Sequence, residues 1–312
     1  MSDNVITIDC HHFFPEVAAA YLLIEGRRAA FIENNTQYAV PRLLSALREH
    51  GLKPEDVEYI IITHVHLDHA GGTSALAKEC TEAVVLAHER AARHVIDPEK
   101  LITSATAVYG EDNFKRIFGV IEPLDEGRVR VVEDGETIKL GERKLRFIYT
   151  LGHAKHHMCI YDSHSNGILT GDSFGIAFPA LQGGKRSFLY PSTSPTDFDP
   201  EEARKSIDAI LNTGADVAYL THFGLFKEMK EGAEMMIEYI NKMENILKDA
   251  INSGKDSVCL EKYCKERVFK FFKSEIESRG LRLSPEILQY VKSDIDLNAQ
   301  GIAFIAQKRI NE

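Results

Sequence analysis

Tyr59-Ile60-Ile61-Ile62-Thr63-His64-Val65-His66-Leu67-Asp68-His69-Ala70-Gly71-Gly72 is the stretch whose reading decides the fold. A run of β-branched apolar residues stops at four metal-capable side chains, and a glycine pair and a helix-forming segment follow at once. A continuous apolar run of this kind predicts a strand buried on both faces. His64, His66, Asp68 and His69 then sit at the strand's carboxyl end, in the turn entering a helix, where α/β folds place their sites. Three imidazoles and a carboxylate in so short a turn suit a borderline-soft divalent metal such as zinc. The plainer reading is a polar turn with surface histidines. The density of the spacing behind a buried strand argues against it.

Outward from that turn, residues 5–10 and 19–33 read as short strands, the second region a hairpin about Glu25-Gly26. Pro41 to Gly51 reads as a helix, with Leu43, Leu44, Ala46 and Leu47 on one face and Gly51 as its stop. Downstream come a helix over 73–79, a strand over 84–87 and a helix over 89–95. Residues 99–127 are helical, weakly periodic and free of strands, which suggests an insertion over one end of the domain. Strands over 129–132, 136–140 and 145–149 form a meander, and 159–162 with 167–170 a hairpin about Ser163-His164-Ser165-Asn166. Residues 183–199 form a Pro, Ser and Gly-rich loop. Asp199-Pro200-Glu201-Glu202 opens a helix, and 217–220 is the last expected strand.

Beyond residue 224 the period changes. Met229, Ala233, Met236, Ile237, Ile240, Met243 and Leu247 recur at helical spacing. Helices over 257–277 and from the Ser284-Pro285 cap, with 294–308 also helical, complete the chain. The expected organisation is an α/β domain over 1–224 and an all-helical extension over 225–312, which caps the site or joins two copies as a homodimer.

The 312 residues hold 37 basic and 47 acidic side chains, a net charge of −10, which argues against a nucleic-acid-binding surface. The 44% hydrophobic content can bury a substantial core. No stretch approaches the ~20 apolar residues of a membrane span, and the amino terminus lacks the charged-then-apolar pattern of a signal peptide. Cys10, Cys80, Cys159, Cys259 and Cys264 form no CxxC pair, so neither disulfides nor thiolate metal sites are expected. The expectation is a reduced, cytoplasmic protein acting on a small-molecule substrate, with no nucleic acid and no membrane as partner.

One turn supplies only part of a coordination shell, so other strand ends should carry partners. The strand 145–150 runs into Leu151-Gly152-His153, the strand 167–170 into Gly171-Asp172, and the strand 217–220 into Thr221-His222. A lone histidine after a strand is usually structural. Repetition of the same placement makes the set a strong signal.

This constellation resembles the metallo-β-lactamase superfamily, whose HxHxDH motif matches His64-Val65-His66-Leu67-Asp68-His69, with the later ligands matching His153, Asp172 and His222 in order. The resemblance covers residues 5–224 and implies an αββα sandwich of two mixed sheets between helices. It implies two divalent metal ions, Zn2+ first with Fe or Mn as alternatives. His64, His66 and His153 would hold one ion, Asp68, His69 and His222 the other, and Asp172 would bridge them. Two such ions about 3.5–4 Å apart share a water and lower its pKa towards neutrality. Asp68 would also be catalytic, as acceptor of the proton that water sheds.

Departures from the family pattern narrow the branch. The commonest β-lactamases use Cys where this chain has Asp172, and flavodiiron proteins usually carry Glu at the position of His66. What remains is a glyoxalase II-like, dinuclear metal-dependent hydrolase of a small ester, thioester or lactone, working through a metal-bridging hydroxide. The alternative is a diiron oxygen-binding or redox protein with the same ligand set. Gly152-His153-Ala154-Lys155-His156-His157 resembles the family's GHxxxH stretch, which makes His157 a support for a metal-binding imidazole and leaves His156 on the surface. The family's Asp-x-Gly after the second strand is here Phe31-Ile32-Glu33-Asn34-Asn35, so its supporting aspartate is not carried over. His11, His12, His88, His94 and His164 read as structural. The substrate pocket is expected to be shaped by 99–127, the 183–195 loop and the helical tail, with Tyr190 as the aromatic contact to substrate.

Overall fold

The computed structural model describes residues 5–184, 186–193 and 196–311. Chain order begins β1 (Val5–Asp9), β2 (Ala19–Glu25), β3 (Arg28–Ile32), α1 (Val40–Glu49), β4 (Val57–Ile61), α2 (Leu67–Ala70), α3 (Thr73–Glu79), β5 (Val84–Ala87) and α4 (Glu89–Ile96). It continues through α5 (Glu99–Tyr109), α6 (Glu111–Phe118), β6 (Val129–Val131), β7 (Thr137–Leu140), β8 (Arg143–Tyr149), β9 (Met158–Asp162) and β10 (Gly167–Gly171). It closes with α7 (Pro200–Leu211), β11 (Val217–Leu220), β12 (Gly224–Phe226), α8 (Met229–Asn252), α9 (Ser257–Ser278) and α10 (Pro285–Asn311).

Two six-stranded mixed sheets result, in the orders β1-β2-β3-β4-β5-β6 and β12-β11-β10-β9-β8-β7. They form the α/β sandwich that the resemblance implies, and helices follow it. Period-two alternation explains the layering. From β2, β3 and β4, Tyr21, Leu23, Ala30, Ile32 and Ile61 enter one core with Leu145, Phe147, Ile160 and Leu169 of the other sheet. The alternate residues Leu22, Phe31 and Ile60 enter a second core with Leu43 and Leu47 of α1 and Leu76 of α3. β4 lies between parallel neighbours β3 and β5, so its apolar run is buried on both faces, as the sequence predicts. Residues 99–127 form α5 and α6, whose Phe114 and Phe118 pack against Leu67 of the metal-capable turn.

One strand escapes the sequence reading. Val217–Leu220 is not the last strand, because Gly224–Phe226 adds β12 at the sheet edge. Three residues with a glycine at φ +78 carry too little pattern to announce a strand.

By internal contacts the chain forms two compact units, each interleaved in sequence. The first takes Met1–Tyr149, His156–Gly171 and Gly214–Leu225 and carries the sheets. The second takes Thr150–Lys155, Asp172–Thr213 and Phe226–Glu312. In the second, the Asp199 side chain caps α7 by accepting from the Glu201 and Glu202 amides at 2.9 and 3.2 Å, with Pro200 at the first helical position. Helices α8, α9 and α10 pack together through Met243, Leu247, Phe272, Ile276 and Ile302, all buried. Arg279 is buried among them because its guanidinium donates to the Tyr239 hydroxyl at 2.6 Å and to Glu275 at 3.0 Å, and stacks over Phe188. No helix among the described residues is long and apolar enough to cross a membrane.

Candidate metal centre

β4 ends at Ile61, and the chain turns through Thr63 into α2, which carries Asp68 and His69. Within the first unit this turn and the end of β11 bring together ligand atoms of Asp68, His69 and His222, all within 4.8 Å of one another. His222 Nε2 lies 3.3 Å from His69 Nε2 and 3.4 Å from Asp68 Oδ2, and His69 Nε2 lies 3.7 Å from that oxygen. His64 Nε2 and His66 Nδ1 stand 2.9 Å apart in the same turn. Within the second unit, His153 Nε2 lies 3.3 Å from Asp172 Oδ2.

What fixes these rings is at their other nitrogens. His222 Nδ1 donates to the Val17 carbonyl at 2.7 Å. Glu33 Oε2 lies 3.2 Å from His69 Nδ1, Thr63 Oγ1 lies 2.9 Å from His64 Nδ1, and the Ser192 carbonyl lies 3.2 Å from His153 Nδ1. An imidazole whose Nδ1–H is engaged in this way offers an Nε2 lone pair. His69 Nε2 and His222 Nε2 thus face each other beside the Asp68 carboxylate, an arrangement that a cation would favour. Donor set and arrangement both fit a divalent metal bound by imidazole and carboxylate.

Glu33 lies where the sequence departs from the family's Asp-x-Gly, and its carboxylate faces His69. It sits just after β3, with φ +64, and its Oε1 accepts from the Thr63 amide at 3.1 Å. The fully buried His157 packs its ring 4.8 Å from that of His64. Gly171, immediately before Asp172, has φ +50, and a Cβ there would meet His157 Nε2 at 2.5 Å and Thr63 Oγ1 at 2.6 Å. His156 is not a surface residue: it is half-buried, its ring 5.8 Å from His66 and 6.5 Å from His94.

In the second unit the tail supports the site by way of the backbone. Asn298 of α10 accepts from the Thr193 amide at 2.7 Å and from its hydroxyl at 2.6 Å, holding the residue next to Ser192, the acceptor for His153. A small recess beside His153 and Asp172 is lined by Ser173, Phe198, Met236 and Ile240. Tyr190 does not line it. Expected in a loop against substrate, it is fully buried, bridged to Ile176 and packed on Phe188 and Phe272, because the 186–193 segment folds under the helices. Lys185, Ser194 and Pro195 of the expected pocket loop lie outside the described residues.

The electrostatics follow. Partial burial of Asp68 opposes its ionisation, yet His69 and then His222 hold its carboxyl well below the usual range. It stays a carboxylate, able to ligate or to accept a proton. Burial and the Asp68 charge push the Tyr109 phenol up to about 12; Tyr109 of α5 packs on Phe118, which packs against Leu67 of the turn. Burial pushes the imidazole of His12, read from sequence as structural, down, against the opposing pull of the Asp68 carboxylate.

Comparison with known proteins agrees with this geometry. The family model of the metallo-beta-lactamase superfamily matches residues 25–222. A metallo-beta-lactamase fold-containing protein of Sulfurisphaera tokodaii, ST1585, is 28% identical over 230 residues, covering 72% of this chain and 80% of that protein. The crystal structure of ST1585 superposes with a TM-score of 0.67 at 23% identity, covering 96% of this chain and 98% of the other. An N-acyl homoserine lactonase of Bacillus cereus is 24% identical over 200 residues, 64% of this chain and 68% of its own. A rubredoxin-oxygen oxidoreductase of Megalodesulfovibrio gigas is 28% identical over 157 residues, half of this chain and 33% of its own.

Proposed function

The chain belongs to the metallo-beta-lactamase superfamily, and on that premise we propose that it is a metal-dependent hydrolase of a small ester, thioester or lactone. In this reading His64, His66 and His153 hold one divalent ion, Asp68, His69 and His222 hold a second, and Asp172 is shared. The observation that carries it is the opposed Nε2 pair of His69 and His222 beside Asp68, with His222 Nδ1 bound to the Val17 carbonyl and the Glu33 carboxylate 3.2 Å from His69 Nδ1. Bound divalent ions would supply Lewis-acid polarisation of a carbonyl oxygen and an acidified water. The chain's own part is to keep Asp68 ionised as a proton acceptor and to fix each ring in one tautomer through Glu33, Thr63, Val17 and Ser192.

The lactonase among the relatives supports the hydrolytic reading, whereas the rubredoxin-oxygen oxidoreductase favours a second one, redox chemistry at iron. Imidazole and carboxylate serve both metals. Metal analysis and an optical spectrum of protein purified without added metal separate the two: zinc without visible absorption supports hydrolysis, and two irons with a charge-transfer band would sink it. A panel of p-nitrophenyl esters, acyl thioesters and lactones then tests turnover. Asp172→Ala should lose at least one metal per chain together with activity; full metal retention would refute its shared role.

A further inference from the structure

α10 turns one buried stripe inward: Val291, Ile295, Asn298, Ile302 and Ile305, spaced alternately by four and three. Four of these side chains are aliphatic. The fifth is an amide, 2% exposed, where an aliphatic group would pack without needing polar partners. An asparagine in mid-helix also weakens the helix relative to alanine. Helix packing alone gives no reason for it.

The reason lies in the segment 186–193. Asn298 Nδ2 donates to the Asp294 carbonyl, one turn back, at 2.8 Å, which fixes the orientation of the side-chain amide. Its Oδ1 then accepts from the Thr193 amide at 2.7 Å and from the Thr193 hydroxyl at 2.6 Å. Thr193 is fully buried, so a donor released from Oδ1 would find no water to replace it. On the other side, Tyr190 exchanges both backbone hydrogen bonds with Ile176, at 2.9 and 3.1 Å. Pro191, with φ fixed by its ring, joins that anchor to Ser192.

The Thr193 N–H and the Ser192 carbonyl belong to one peptide unit. A peptide unit is planar, and in its trans form the two groups point in opposite directions. Asn298 holds the N–H edge of this plate, and the carbonyl edge lies 3.2 Å from His153 Nδ1. We propose that Asn298 is a positioning residue for His153: by gripping one edge of the Ser192–Thr193 peptide it sets the other edge, which orients the imidazole for its ion. The inference rests on the reading of His153 as a metal ligand. It adds that α10, which carries no ligand itself, tunes the affinity of the ion that His153 holds. Linkage makes the effect reciprocal, so that ion must tighten α10 on Thr193 by the same factor.

Zinc affinity of the full chain, measured by competition with a chromophoric chelator, tests this. Asn298→Ala should weaken one bound ion about tenfold, as loss of an outer partner does. Thr193→Val, which keeps the amide and removes only the hydroxyl, should weaken it severalfold, and Thr193→Ser should restore wild-type affinity. Ile302→Val, in the same stripe, should lower the melting temperature and leave zinc affinity unchanged. In the wild type, zinc should slow amide exchange in α10 around Asn298, and the slowing should be lost in Asn298→Ala. Equal affinity in the wild type, Asn298→Ala and Thr193→Val overturns the proposal. So does an Ile302→Val variant that loses the ion as readily, or α10 exchange indifferent to zinc in the wild type. A wild type that binds neither zinc nor ferrous iron overturns the ligand reading itself, and the inference falls with it.

Discussion

Glu33 serves two residues with one carboxylate: Oε2 faces His69 Nδ1 at 3.2 Å and Oε1 accepts from the Thr63 amide at 3.1 Å. It thereby couples the orientation of one candidate ligand to the backbone that carries the next. Glu33→Ala should weaken metal binding about 10–100-fold without removing a ligand, because outer partners fix tautomer and ring angle. Chelator competition measures this, and Glu33→Asp, with a shorter reach, should fall between.

Gly171→Ala should be far more disruptive than one methyl group suggests. The new Cβ would lie 2.5 Å from His157 Nε2 at φ +50, so crowding and backbone strain add. A loss of about 1–3 kcal/mol is expected, read as a lowered urea midpoint. A midpoint unchanged from wild type would contradict the close packing behind His64.

Acid stability should carry a component from His88. Burial first and Arg90 second lower its imidazole from 6.5 to about 4, so the folded protein keeps it neutral where the unfolded chain takes up a proton. The folded-state pKa is depressed, so the contribution is fully present above pH 6.5 and is lost as pH falls towards about 4. The slope in that window is at most about 1.4 kcal/mol per pH unit. His88→Asn, which can still accept from the Arg90 amide and cap α4, should flatten it in urea melts across that range.

Tyr190→Phe should leave stability within about 1 kcal/mol or raise it, since the hydroxyl is buried with no hydrogen-bond partner among the described residues. Steady-state kinetics on any substrate found should be equally indifferent. A large change in KM would restore the substrate-contact role that the sequence suggested.

Most strands of the core and the ligand candidates were legible because each rests on a short local pattern, whereas the two-sheet arrangement came with the family resemblance. An apolar run, a dense cluster and a single donor after a strand can be read without knowing how the strands pair. What could not be read depends on side chains meeting across long separations. Glu33 reaches His69 only because β3 and β4 are parallel neighbours. His222 meets the Val17 carbonyl of the β1–β2 connection across 205 positions of sequence, which no local pattern announces. Tyr190 misled for the complementary reason: its segment has the composition of an exposed loop, and only the helices packed over Phe188 and Phe272 bury it.

β4 has one more implication. Its amides are laddered between two parallel strands and both its faces are occluded. Solvent isotope can therefore reach Ile60 and Ile61 only when the sandwich opens as a whole. The histidine turn is mounted on that doubly paired, buried strand, so its geometry should persist up to the unfolding of the sandwich and vanish with it. Heat or denaturant would then erase the site in the same cooperative step that erases the fold, leaving no loosened, fold-retaining form to scavenge metals indiscriminately.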